Sequence, residues 1–282
     1  MRHQAALLSA SLLLCMGASG AKSAPAAEAG AQDLRICAAQ NEPPFSMKDG
    51  SGFENRIGVA LAEGMGRKPV FVWSEKPAIY LVRDYLDKNR CDVVIGLDKG
   101  DDRVLASAPY YRSAYVFITR ADQNLDVRSW SDPRIAGLGH VVVGFGTPGE
   151  QMLKEKGLYE DNMAYLYSLV NFKAPRNQYT QIPPERIVDE VASGRAGLGV
   201  GFAPEVARYV AASTVPLRMT VIDDDVKRSD GRATPMHFDQ SVGVRKDDPA
   251  LLKQVDEGLV KARGQIAAIL KQEGVAVLDK GM

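Results

Sequence analysis

The chain has 282 residues, carries 35 Lys and Arg against 35 Asp and Glu, and is 45% hydrophobic. That size fits two domains or one large one. It has no basic stripe and no polybasic or amphipathic membrane signature, which excludes roles on nucleic acid or on a membrane surface.

Arg2 and His3 open the chain, residues 5–16 are apolar and residues 18–21 are small. Residues 1–21 read as a secretory signal cut after Gly20 or Ala21. Their apolar run is shorter than the roughly 20 residues that span a bilayer, and no later run reaches that length. Residues 22–32, rich in Ala, Ser and Pro, read as a flexible lead-in. The mature chain is expected in a bacterial periplasm.

From there the pattern alternates. LRICAA (34–39) is a strand, and NEPPFSMKDGSG (41–52) a turn region with paired prolines. Residues 53–65 are helical, with Ile57, Leu61 and Met65 on one side. PVFVW (69–73) is a strand. Residues 79–89 read as a helix whose apolar face is Leu81, Val82, Tyr85 and Leu86. RCDVVIG (90–96) is a buried strand, LDKGDDR (97–103) a polar turn, and YVFI (115–118) a β-branched and aromatic strand. The pattern then restarts. HVVVGFGTPGEQML (140–153) is a strand, a glycine turn and a helix start, and AYLYSLVNF (164–172) reads as a strand. Residues 184–193 are helical, AGLGVGFAPEVARYV (196–210) is a strand feeding a helix, SVGVRKDD (241–248) is a return crossing, and 251–273 form an amphipathic helix. Strand and helix in alternation imply βαβ units and a parallel sheet packed between helices.

The segment 90–120 resembles the first-lobe core of periplasmic solute-binding proteins of the amino-acid-binding type. The resemblance implies an α/β, two-lobed periplasmic-binding-protein fold (type II), with a hinge and an inter-lobe cleft. Lobe I would comprise 33–119 plus 241–282 and lobe II 120–240, with crossings near Thr119 and Ser241. It places Arg103 where relatives clamp a ligand carboxylate, a task suited to the guanidinium fork. GFGTPGEQML resembles the family's turn at a helix N-terminus, where Thr147 and the following N–H groups would hold an anionic group; an ordinary helix cap is the structural alternative. Phe45 joins these as a cleft candidate. The family's ammonium-binding aspartate is replaced by Phe202, and the usual acid before that strand by Gly197, so binding of free amino acids is not expected. In the family fold, Cys37 and Cys91 lie on neighbouring strands. In an oxidising compartment they would form a disulfide, the alternative being two buried thiols.

Two further segments are unlike those of ordinary receptors: 165–186 is longer and more aromatic, and 223–239 is a polar loop with charges of both signs. Together with FENRIG, PYYRSAYVF, PLRMTVI and FDQSVGVRKDD, they resemble one subgroup of the superfamily. Its members are the periplasmic proteins that accompany the quinoprotein methanol dehydrogenase of methylotrophic bacteria. The resemblance implies an accessory role in methanol oxidation, with the large and small subunits of methanol dehydrogenase as partners. Tyr165, Tyr167, Phe172, Arg176 and Tyr179 are the interface candidates, since Tyr and Arg dominate interface hot spots.

The alternative is an extracytoplasmic receptor for a small carboxylate, feeding an ABC transporter. Catalysis is not expected. Glu42, Glu54, Glu150 and Glu205, with His140 and His237, are the acid–base candidates, but Glu54 and Glu205 also suit helix starts. No cofactor is expected. The acidic run 223–225 lacks calcium-loop spacing, and no His or Cys group has zinc spacing.

Overall fold

The computed structural model describes residues 32–170, 181–223 and 226–279. Residues 1–21, expected to be a signal, most of the expected lead-in, and the candidates Phe172, Arg176 and Tyr179 therefore lie outside the described residues.

The first lobe begins with β1 (Asp33–Ala39), the short strands β2 (Asn41–Glu42) and β3 (Ser46–Met47), α1 (Phe53–Gly64) and β4 (Lys68–Ser74). It continues with β5 (Val93–Asp98) and β6 (Leu105–Ala106), then enters β7 (Tyr111–Arg120). The second lobe holds β8 (Val141–Val143), α2 (Pro148–Glu155), α3 (Tyr159–Ser168), α4 (Pro184–Ala192), β9 (Leu198–Phe202), α5 (Ala203–Ala212) and β10 (Leu217–Val221). The chain returns along β11 (His237–Val244) and finishes with α6 (Pro249–Gln272).

One path of strands, β4-β1-β5-β11-β7-β9-β8, runs through both lobes. β1 pairs in parallel with β4 and β5, as the alternating pattern requires. β11 runs antiparallel, pairing through Gln240–Val244 with β5 and through His237–Gln240 with Tyr111–Ala114 of β7. Beyond that point β7 pairs with β9 and β10. Tyr111 belongs to the first-lobe core and Val116 to the second, and Met236, just ahead of β11, and Val242 on it divide between the same two cores. The crossing on β7 thus falls ahead of Thr119, because the two crossing strands pair with each other over 111–114 and 237–240.

Two elements differ from the sequence reading. Residues 79–89 are not a regular α-helix but a 3₁₀ turn (Ala78–Tyr80) followed by a π turn (Val82–Leu86). The wider turn brings Leu81, Val82 and Leu86 together against Cys37 and Cys91 in a small core of their own. The aromatic run 164–168 lies in α3 rather than in a strand. Tertiary packing overrides β propensity there. Asn162 and Leu166, one helical turn apart, are buried. The Asn162 side chain accepts from Val141 N–H at 2.8 Å and donates to the Leu158 carbonyl at 2.8 Å, tying α3 to β8.

The disulfide Cys37–Cys91 is formed, with Cα atoms 5.5 Å apart. Next to it Arg35 forks onto Asp92, with contacts of 3.1 and 2.6 Å, and Arg245 donates to the Cys91 carbonyl at 2.7 Å. Burial works against the Asp92 charge, but these guanidinium bonds hold its carboxyl below the ordinary value. The cross-link spans 54 residues, a loop for which the chain-entropy model allows at most about 4 kcal/mol. The double replacement Cys37→Ser and Cys91→Ser should lower the urea-unfolding free energy by up to that amount. An unchanged midpoint would show that the closed loop contributes nothing.

Candidate functional site

The cleft is built where the crossing strands meet. The pairing register sets Tyr115 of β7 opposite Phe202 at the end of β9. Phe238 of β11 completes a ring cluster, with centroids 5.5 Å (Tyr115–Phe202), 5.9 Å (Tyr115–Phe238) and 6.0 Å (Phe202–Phe238) apart. Phe202 thus fills the position of the family's acid with part of an aromatic wall. Gly197, the other altered position, has no room for a side chain: a Cβ there would sit 2.0 Å from the Leu138 carbonyl oxygen.

The opposite wall comes from the segment GFEN. Phe53 is fully buried, which turns its neighbour Glu54 toward the cleft. Asn55 accepts from Met47 N–H at 2.8 Å and donates to Ser46 Oγ at 2.9 Å, holding the turn that carries Phe45. Gly96, at the end of the buried CDVVIG strand, is required twice over. Its φ is +76°, and a Cβ there would lie 1.8 Å from a Glu54 carboxylate oxygen.

Two chambers result. The first, of ≈ 290 Å³, is lined by Glu42, Phe45, Glu54, Asp98, Arg103 and Phe202 among others. The second, of ≈ 540 Å³, shares Glu42, Phe45 and Tyr115 and adds Thr147 and Glu205. Phe45, Arg103 and Phe202 are therefore brought together, while Thr147 lies in the adjoining chamber.

Neither expected anion-binding element is open to a ligand. Arg103 forks onto Asp101, at 2.9 and 2.6 Å, so the fork meant for a ligand carboxylate is already occupied. Thr147 caps α2: its hydroxyl donates to the Gly144 carbonyl at 2.7 Å and accepts from Glu150 N–H at 3.3 Å. Glu150 reaches back to accept from Gly146 N–H at 2.7 Å, so the turn ahead of α2 is closed by a carboxylate of the chain's own.

The carboxylates facing the chambers have little cationic company. Glu42 accepts from Ala78 N–H at 2.6 Å and Asp98 from the Gln240 amide at 2.7 Å. Burial raises both above the ordinary carboxyl value. Burial first, and then repulsion from Glu42, pushes Glu54 up to about 8. Glu205 is pushed up to about 7, again mainly by burial. Lys76, in the second chamber, is paired with Asp84 at 2.8 Å. Among the described residues, no group of three or more His, Cys, Asp or Glu is placed to hold a metal ion.

Of the four glutamates offered as acid–base candidates, the fold brings Glu42, Glu54 and Glu205 to one cleft, while Glu150 turns back onto Gly146. The sequence reading missed Asp98, Tyr115, Phe238 and Gln240, which only the strand register places there. Of the interface candidates, Tyr165 stacks on His140 (centroids 4.1 Å apart) and donates to the buried Glu190 at 2.8 Å. Glu190 is also held by Arg195 and Arg186. Tyr165 thus fastens α3 to α4. Tyr167 is 58% exposed, beside Phe145, with ring centroids 5.0 Å apart.

The family model for bacterial extracellular solute-binding proteins, family 3, matches residues 34–273, and the chain belongs to that family. It is 64% identical over 257 residues to Protein MoxJ of Methylorubrum extorquens (strain AM1), covering 91% of this chain and 85% of that protein. It is 45% identical to Protein MoxJ of Paracoccus denitrificans, covering 93% and 95%. Its structure is similar to the crystal structure of MxaJ from Methlophaga aminisulfidivorans MPT, with a TM-score of 0.83, 46% identity, and coverage of 87% and 100%.

The raised carboxyls make stability depend on pH. Glu54 keeps its proton in the folded chain up to about pH 8, whereas unfolded it releases the proton near an ordinary 4.5. The folded state thus binds more protons across this interval, and stability is lost as pH rises through it, each unit of difference being worth at most about 1.4 kcal/mol. Glu54→Gln should flatten the fall in melting temperature between about pH 5 and 8 and raise stability at the upper end. A variant with the native slope would show that Glu54 is not its source.

Proposed function

We propose that the protein is a periplasmic accessory factor of methanol oxidation, assisting assembly, maturation or activation of the quinoprotein methanol dehydrogenase through protein–protein contact. The observation that carries this reading is the near full-length likeness to MoxJ, at 64% identity. It joins the sequence resemblance to the subgroup that accompanies this dehydrogenase. The cleft geometry supports it from the other side. A carboxylate receptor needs an open guanidinium or helix terminus, and here Asp101 and Glu150 occupy both. The hinge in this reading is the paired stretch 111–114 with 237–240, and the lobes otherwise divide as the sequence implies.

Tyr167, with Phe145, is the docking position we favour; Phe172, Arg176 and Tyr179, the other candidates, lie outside the described residues. Tyr165 serves beneath it as support for α3.

Mature protein used as bait in a periplasmic extract should recover the large and small dehydrogenase subunits. Recovery of transporter components without dehydrogenase would overturn the proposal. Tyr167→Ala should weaken that recovery several-fold while moving the melting temperature little, since exposed substitutions usually stay within about 0.5 kcal/mol. A large drop in melting temperature with recovery intact would make Tyr167 structural.

A further inference from the structure

The cleft has inverted the charge preference expected of it. Glu42, Glu54 and Asp98 line the first chamber, Glu205 lines the adjoining one, and Glu42 faces both. The guanidinium on the first chamber's wall, Arg103, is neutralised by Asp101 at 2.6 Å. The carboxylate of Glu54 lies on the chamber wall, half-buried, and no described residue donates a hydrogen bond to it. A second observation points the same way. Tyr111 is only 5% exposed, its hydroxyl has no hydrogen-bond partner, and Glu54, Asp98 and Glu205 all lie close enough to act on it. The phenol and the carboxylates that act on it can all accept a hydrogen bond, which an ammonium group donates. The remaining wall is aromatic: Phe45, Tyr115, Phe202 and Phe238. Ring faces attract organic cations and offer nothing to a carboxylate.

We infer that the cleft receives an organic ammonium group that carries no carboxylate, with Glu54, Glu42 and Asp98 as its charge partners and the Tyr115–Phe202–Phe238 cluster as its aromatic wall. The group comes either as a small amine or as the lysine side chain of a protein partner, and both present the same chemistry. A free amino acid is disfavoured because its carboxylate would face the same acids. The lysine arm rests on the reading of the protein as an interaction module; the small-amine arm does not.

Binding is coupled to protons. Glu54 shares the first chamber with Glu42 from β2, Asp98 from β5 and Arg103, already paired; it acts on the hydroxyls of Tyr110 and Tyr111, and Glu205 from α5 lines the adjoining chamber. An arriving cation draws the Glu54 proton off, so affinity rises with pH through the neutral range.

The test is titration calorimetry of the mature protein with four probes: n-butylamine, lysine blocked as its Nα-acetyl methylamide, free lysine, and butyrate. Saturable binding of either amine, with none for butyrate and weaker binding of free lysine, is the expected result. Blocked lysine at least about tenfold tighter than butylamine marks a partner's side chain as the source, and the reverse order marks a small amine. Comparable affinities support the ammonium chemistry common to both. Glu54→Gln, an isosteric change that removes the group able to ionise against the cation, should weaken amine binding at least about tenfold and abolish its rise with pH. Failure of both amines to saturate, butyrate binding as well as the amines, or native affinity in the folded Glu54→Gln protein would overturn the inference. The dehydrogenase pull-down stands or falls separately, since it reads the Tyr167 surface.

Discussion

The antiparallel pairing of β7 with β11 is the constraint on which the rest of the molecule depends. These strands belong to both lobes, and they pair with each other only over the crossing itself, Tyr111–Ala114 against His237–Gln240. On one side β11 joins the parallel sheet through β5, and on the other β7 joins β9 and β10. Because side chains alternate along a strand, a shift of one residue would turn Tyr115, Phe238 and Gln240 away from the cleft. The C-terminal segment secures the same stretch. Leu278 N–H donates to the Arg112 carbonyl at 2.8 Å, and Ser113 Oγ to the Ala276 carbonyl at 2.7 Å. The crossing is therefore bonded along its edges as well as within the sheet.

A cleft so fixed can change its ligand chemistry without changing the fold, because fold and site are separable. The changes are local. Asp101 lies two residues before Arg103 and captures it; Glu150 lies three residues after Thr147 and completes its cap. Each converts an anion-binding device into a closed internal pair. The acids that remain open have no cationic partner of their own, Glu54 above all, and shift toward the neutral form instead, which is how a buried carboxyl limits its desolvation cost. A cation supplied from outside would complete what the chain leaves incomplete.

How much of this was legible depended on whether the cause was local. β1, β5 and α1 were readable because apolar spacing alone decides them. Phe202 was readable as a departure because a ring stands where an acid would. The fate of Arg103 was half-legible: Asp101 is nearby in LDKGDDR, but proximity in sequence does not say which neighbour takes the guanidinium. The π turn at Val82–Leu86 was not legible, since it answers to the disulfide core it covers. Neither was α3, whose aromatic residues favour a strand until Asn162 and Leu166 find their buried partners. Asp98, Tyr115 and Phe238 were hidden for the simplest reason: only pairing across more than a hundred residues of chain makes them neighbours.

The lobes are also joined by charges of the protein's own. Arg208, on α5 of the second lobe, donates to Glu273 at the end of α6 at 2.7 Å and to the Ser51 carbonyl at 3.2 Å. Arg56, on α1 of the first lobe, binds the other oxygen of the same carboxylate. Glu273 is buried, and Ala207 beside Arg208 packs into the first-lobe core. Removing one partner of a buried, doubly bonded carboxylate costs more than the loss of an exposed pair, because the charge left behind has no water to receive it. In a receptor that closes only on its ligand, the ligand bridges the lobes. Here a first-lobe carboxylate held by arginines from both lobes does so, and the relative position of the lobes rests on the chain itself.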